Sequence, residues 1–199
     1  MRHRIASRRL FQTGFIGAWV LTLLLISGCV RSVAPILTDT QVINDNSVLG
    51  RWNSTDDAKE SIEVLAGVDS AYKVLYHDKQ DKTGNFVVRL GKVGDLVLAE
   101  IAPDEPANKD SDVYRAHLLP LYSFFWVVQT TPELKLRTIS SDWLKKYVAA
   151  HPGELKTVGK PDDLVLGSTT EELQAFILKH SKDEGAWGDE LKLVRPATK

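Results

Sequence analysis

Cysteine is nearly absent from this chain of 199 residues, which contains only Cys29. No intramolecular disulfide can form, even in an oxidising compartment that would permit one. The fold must therefore be stabilised by a hydrophobic core. The part of the chain after the cysteine includes roughly 150 residues suited to one domain, and such a domain buries about 70% of its unfolded surface.

Common catalytic motifs are also missing. The sequence has no Gly-x-Ser-x-Gly turn, no glycine-rich phosphate loop and no His-Glu-x-x-His pair. The histidines after Cys29 lack the close spacing of a local metal site. They are His77, His117, His151 and His180. We predict no metal site, no cofactor and no catalytic residue. An enzyme is the third choice of function, with His117 and nearby acids as its only candidates.

A basic patch is missing as well. Four of the 25 basic residues precede Cys29, whereas all 26 acidic residues follow it, so the part after Cys29 has 21 basic and 26 acidic residues. Basic and acidic residues are interspersed there without a basic stripe. This pattern argues against nucleic-acid binding and against a polybasic membrane-binding face.

Acidic residues do not occur before Asp39, and the N-terminal segment has three parts. The basic part contains Arg2, Arg4, Arg8 and Arg9. Residues 10–26 are mostly apolar, and the small residues Ser27 and Gly28 follow. This order predicts a removable secretory signal over residues 1–28. An uncleaved transmembrane helix is the alternative, although about 17 residues is the lower limit for a span.

The end of this segment resembles the lipobox of bacterial lipoproteins, with the sequence Leu25-Ile26-Ser27-Gly28-Cys29. The resemblance implies cleavage before Cys29 and acylation of that residue, for instance by palmitate. Val30 stands where an aspartate would imply retention in the inner membrane, so the resemblance implies the outer membrane. Residues 7–11 also resemble the twin-arginine export signature. General secretion is favoured, and both export routes stay open.

Residues 29–47 have little periodicity and are predicted to be a tether, disordered in its first part. From Val48 apolar and polar residues alternate, which predicts antiparallel strands with one buried face. The predicted strands cover residues 48–52, 61–66, 72–77, 86–90, 96–101, 113–119, 122–129, 134–137, 164–166 and 191–194. Residues 91–95, with two glycines, form the predicted connection of the clearest hairpin.

Two helices are predicted in the second half of the chain. Ser141-Asp142 caps a helix over 141–150, and Ser168 with Glu171 forms the capping box of another. The predicted fold is a single α+β domain over residues 48–199. It is mostly an antiparallel β-meander in a barrel-like or strongly curled sheet, because closure hides strand edges.

The start of the domain, Gly50-Arg51-Trp52, resembles the Gly-x-Trp motif of the lipocalin family. Arg195 matches the family's arginine that packs over the tryptophan, and the order of meander, helix and last strand is similar from about Leu49 onward. The helix over 141–150 and the absence of Thr-Asp-Tyr depart from the family pattern. The resemblance implies a barrel that holds a small apolar ligand, and a different sheet-plus-helix fold is the alternative.

The segment 122–128 is apolar on both faces of its predicted strand, with Phe125 and Val127 on one face. The predicted ligand-binding residues are Trp52, Tyr122, Phe124 and Trp126, and core packing is the alternative for each. We therefore favour a non-enzymatic, membrane-anchored protein that binds an apolar or lipid ligand. A structural or protein-interaction module of an envelope assembly is the alternative, with loop 103–112 as contact surface.

Overall fold

The computed structural model describes residues 30–104, 118–160 and 163–197. Its strands are β1 Arg31–Ser32, β2 Val42–Ile43, β3 Gly50–Ser54, β4 Ser61–Ala66, β5 Tyr72–His77, β6 Thr83–Val93, β7 Leu96–Pro103, β8 Tyr122–Gln129, β9 Leu134–Arg137, β10 Thr157–Lys160, β11 Asp163–Leu166 and β12 Leu191–Val194. The described α-helices are α1 Ser141–Ala150 and α2 Thr170–His180, and short 3-10 helices cover Asp39–Gln41 and Asn46–Val48.

Eight of these strands form a closed antiparallel barrel. Neighbouring strands pair in chain order from β3 to β9, and β12 pairs with both β9 and β3, which closes the circle. Closure gives each of these strands a partner on both sides. The predicted antiparallel meander is confirmed, and the sequence located β8, β9 and β12 to the residue.

The β6–β7 hairpin is tighter than the sequence predicted. Its strands continue to a pair between Val93 and Leu96, so Gly94 and Asp95 alone form the turn instead of residues 91–95. Gly94 has a φ of +57°, a left-handed conformation that glycine adopts without steric cost. Val93, which lies between Gly91 and Gly94, is therefore a strand residue paired with Leu96.

The sheet continues outside the barrel from the first half of β8. There β1 pairs antiparallel with Ser123 and Tyr122, and β11 and β10 follow β1 outwards. Strand β9 pairs only with the second half of β8, from Trp126 onward. The strands β1 and β9 thus share one edge of β8.

Two hydrophobic cores lie on the two faces of the barrel wall. The inner core has buried members from all eight barrel strands: Trp52, Val64, Tyr72, Val88, Leu90, Ala99, Val127, Leu134 and Leu193, with Val48 beside them. The outer core lies between the wall and a layer made of α1, α2 and the chain near Ile36. It contains Phe124 from the wall, Leu144 from α1 and Ile177 from α2.

The disorder predicted for the first part of the lead-in is not what the structure shows over residues 30–47. Ile36 and Leu37 are buried in the outer core, and their backbone N–H groups donate to Glu100 Oε2 at 2.6 and 2.9 Å. Glu100 also accepts from Arg89 at 2.6 Å. Burial would lower the pKa of Arg89, but its hydrogen bond to Glu100 and that carboxylate's charge raise it. Ile36 and Leu37 are an isolated apolar pair in a stretch without periodicity. The sequence therefore did not indicate that they would be buried.

Helix α1 has the predicted bounds, and it interrupts the meander after β9. Its N-cap is Ser140, one residue before the predicted Ser141, and the Ser140 hydroxyl accepts from the Trp143 N–H at 3.3 Å. The helix packs Leu144 into the outer core.

The capping box of α2 is also shifted by one residue from the prediction. Thr169, instead of Ser168, is the N-cap, and it exchanges hydrogen bonds with Glu172 at 3.3 and 2.9 Å. The Ser168 hydroxyl accepts from the Lys156 N–H at 2.9 Å. Both threonine and serine satisfy the capping pattern, so local sequence alone could not choose between them.

Several predictions fall on residues outside the described ranges: the signal segment 1–28, Cys29, His117 and the strand over 113–117. Leu118 and Leu119, the last residues of that predicted strand, are not in a strand. Strand β10 was not predicted. In the described part of the chain, no helix has the length and apolar character needed to cross a membrane.

Candidate ligand-binding site

The inner face of the barrel is fixed by strand register. Trp52 lies opposite Ile62, and Ile62 opposite Tyr76, so these side chains share a face with the inner core. Because successive side chains of a strand point to opposite faces, every second residue from these positions also points inward. This face divides into two halves along the barrel axis, which we call the closed half and the open half.

The closed half is filled around Trp52, whose side chain is only 1% exposed. Its indole N–H donates to the Val48 carbonyl at 2.8 Å, which attaches it to the 3-10 helix before β3. The other buried inner-core residues surround it. This end of the barrel is therefore a packed core with no visible room for a ligand.

Arg195 closes this end from outside. Its guanidinium carbon lies 3.6 Å from the Trp52 ring centroid, a cation–π contact. Its two terminal nitrogens donate to the carbonyls of Leu49 and Ser47 at 2.6 and 2.7 Å. Gly50 has a φ of +102°, and a Cβ there would lie 2.7 Å from Arg195 Nη1. The structure thus brings together Gly50, Trp52 and Arg195, the residues of the lipocalin resemblance.

The open half has inward side chains that are only half-buried. They are Ile62, Val74, Tyr76, Phe86, Ile101, Ser123, Phe125, Leu136 and Leu191. These residues lie on the same face as the buried inner core of the closed half, yet solvent reaches each of them. Solvent therefore reaches inward apolar side chains at this end of the barrel, at the ends of β3, β5, β7 and β9.

Most of the surface of the open half is apolar. Tyr76 adds a hydroxyl, which donates a hydrogen bond to the Glu60 carboxylate in the β3–β4 loop. The Glu60 carbonyl in turn accepts from the Ser54 N–H at 2.9 Å. An apolar concave wall with a few fixed polar groups is the usual composition of a small-molecule site.

The structure does not bring the four sequence-predicted site residues together. Trp52 lies inside the closed half, whereas Phe124, 2% exposed, and Trp126 lie on the outer face of β8. Trp126 contacts Trp187 with ring centroids 5.3 Å apart. Tyr122 is on that outer face too, opposite Ser32 of β1. The doubly apolar strand β8 is thus covered by the outer layer on one face and lines the barrel on the other.

Sequence reasoning missed the inward residues of the open half. On β8 these are Phe125, which the alternation had separated correctly from Phe124 and its neighbours, and Ser123. The pattern identified two faces but carried no signal for which one turns inward. Tyr76 and Phe86, on β5 and β6, had been assigned only to strands.

The histidines form no metal site in the described ranges, where no group of metal-binding side chains converges. His180 ends α2 and contacts the rings of Tyr147 and Phe176, with both centroids 4.6 Å away. Its Nδ1 is 2.6 Å from Asp183 Oδ2. His180 is therefore a packed histidine of the outer layer. Burial and a hydrogen bond to Glu154 raise the pKa of Tyr147 beside it.

No family model, curated protein or solved structure matches this chain. Its eight-stranded antiparallel barrel is compatible with a lipocalin-like fold and with ligand binding.

Proposed function

We propose that this protein is a lipid-anchored, non-enzymatic lipoprotein of the bacterial outer membrane. Its open half binds a small apolar or lipid ligand. The observation that carries the proposal is the contrast within one inner face. Solvent reaches apolar side chains such as Phe86, Ile101 and Phe125, whereas their neighbours in the closed half are buried.

The apolar wall supplies the driving force for this binding. Covering apolar surface contributes about 25 cal/mol per Å², so covering roughly 200 Å² contributes about 5 kcal/mol before the cost of association is subtracted. Among the described inward positions of the open half, none is charged. The part of the ligand inside the barrel is therefore an uncharged hydrocarbon or ring system.

Anchoring is the second part of the proposal, and it rests on the lipobox-like sequence that ends at Cys29. One acyl chain holds a protein only marginally, at about 0.8 kcal/mol per buried CH2, so stable anchoring needs more than one chain. Labelled palmitate should enter the wild-type protein in a bacterial host and not the Cys29→Ala variant. Equal labelling of the two would contradict acylation at Cys29.

Ligand binding is tested on the full-length protein purified from its own envelope. Native mass spectrometry and lipid extraction should find an apolar molecule bound at close to one per protein. An empty barrel that co-purifies with another envelope protein would instead support the structural or interaction role. The outer strand β10, whose residues are all exposed, would then belong to the contact surface.

A further inference from the structure

The N-terminal residues of the domain are held at the open half of the barrel. Val30 is buried in the outer core, and Arg31 lies opposite Ser123 near the start of β8. Paired Cα atoms are about 5 Å apart and successive Cα atoms are 3.8 Å apart. The Cα of Val30, the first described residue, is thus within about 9 Å of Ser123, which lines the open half.

The closed half is farther from this attachment point. Gln129 ends β8 at the closed end, about 20 Å along the strand from Ser123 at 3.3 Å per residue. Because Val30 is already buried, an acyl group on Cys29 would be attached one residue before the folded part of the chain. A short connection of this kind restricts how the barrel can lie on the membrane.

Exposed apolar side chains occur beside the same attachment point. Leu118 and Leu119 are 54% and 67% exposed, and they precede β8 at the open end. Val158 on β10 is also exposed, and it shares a face with Arg31 because each pairs with Val165 of β11. Exposed apolar side chains near a lipid anchor suit the bilayer interface.

We propose that the open end of the barrel faces the lipid bilayer, with the β8 rim and Leu118–Leu119 nearest the head groups. The inference rests on the acylation of Cys29 in the proposed function. It gives the ligand a source, since an apolar molecule can then pass between membrane and barrel without crossing bulk water. The ligand class it favours is a membrane lipid or another bilayer-soluble molecule.

The opposite end offers a matched control. The β4–β5 hairpin at the closed end also exposes apolar side chains, Leu65 and Val68, and Val68 is 74% exposed. If exposed apolar surface alone set the orientation, this hairpin would compete for the bilayer. The position of the anchor is what distinguishes the two ends.

The test uses the full-length acylated protein with a fluorophore on a single introduced cysteine, Leu119→Cys or Val68→Cys. Acylation blocks Cys29, so the introduced thiol is the only reactive one. The proteins are placed in vesicles of phosphatidylethanolamine and phosphatidylglycerol that carry a nitroxide quencher on the lipid head group. We expect several-fold stronger quenching at position 119 than at position 68. Equal quenching, or stronger quenching at position 68, would overturn the inference.

A linker variant tests the role of the short connection. A glycine-serine insertion of about 20 residues between Cys29 and Val30 spans roughly 25 Å on average and should remove most of the difference between the two positions. If the insertion variant kept the full difference in quenching between positions 119 and 68, the short link between Cys29 and Val30 would not set the orientation of the barrel on the membrane. Protein that fails to bind vesicles at all would refute the acylated anchor itself. Palmitate labelling of Cys29→Ala separates that failure from a wrong orientation.

Discussion

The closed and open halves of the barrel are built by the same strands and the same face, yet only one is filled. Val64 and Val127 are buried in the closed half, whereas Ile62 and Phe125, two positions along the same strands, are half-buried in the open half. Alternation along a strand predicts that both members of each pair point inward, so it does not explain why only one member is buried. The difference arises at the barrel ends, where Trp52 and its cap close one end only. If the proposed function is right, the closed end of the barrel supplies stability and the open end supplies binding.

The sharpest way to test this division is to truncate one large side chain in each half. Trp52→Ala should lower the free energy of unfolding by about 3–5 kcal/mol, because it leaves a cavity in a closed core. Phe86→Ala in the open half should cost roughly 1–2 kcal/mol, because its side chain is only partly buried. Denaturant midpoints and slopes of the purified variants measure both.

Equal losses for the two substitutions would show that the open half is as well packed as the closed half, and would remove the basis for a binding site there. A loss below about 1 kcal/mol for Trp52→Ala would instead mean that the tryptophan is not a core residue.

The cap over Trp52 is the next largest expected effect. Arg195→Leu should cost about 2 kcal/mol, since it removes a cation–π contact and two hydrogen bonds to the carbonyls of Ser47 and Leu49. Arg195→Lys should recover part of the loss, because a lysine keeps the charge without the two-pronged geometry. Full stability of the leucine variant in thermal unfolding would contradict a capping role.

The sequence predicted the closed half better than the open half. Gly50, Trp52 and Arg195 belong to a short motif whose parts have fixed geometric roles, so their assembly could be expected. The open half depends on Phe125 facing inward, and alternation on β8 leaves that choice open. The more apolar face turned outward because a layer that includes Ile36 covers it. Ile36 belongs to the segment 29–47, which the sequence predicted to be a tether. The covering layer was therefore not predicted.

Occupying the open half should block binding without unfolding the protein. Val74→Trp adds bulk on the inner face of β5, whereas Leu75→Trp adds the same bulk on the outer face one residue away. We expect Val74→Trp to weaken binding of the neutral apolar fluorophore N-phenyl-1-naphthylamine by about tenfold, or 1.4 kcal/mol. Leu75→Trp should bind like wild type in the same fluorescence titration. Equal affinity of the two variants would place the fluorophore outside the barrel.

Acid should loosen the closed end slightly, through Asp45. The hydrogen bond from Ser47 lowers the pKa of this carboxyl below its ordinary value of 3.8, although burial opposes the shift. The Asp45 side chain accepts from the Ser47 N–H at 2.9 Å and so caps the 3-10 helix that ends at Val48, the residue whose carbonyl holds Trp52. The ionised carboxyl is thus the form that supports the cap.

A carboxyl whose pKa is lowered by folding stabilises the protein above its unfolded pKa, and this stabilisation is lost as the pH falls through the folded pKa. Wild-type stability should therefore decline more steeply below about pH 4 than that of Asp45→Asn, which cannot titrate but still offers an oxygen to Ser47. Asp69→Asn, at the same end of the barrel, is the control for loss of one charge. Urea midpoints measured between neutral and acidic pH compare the three proteins. Parallel curves for wild type and Asp45→Asn would show that this cap does not respond to acid.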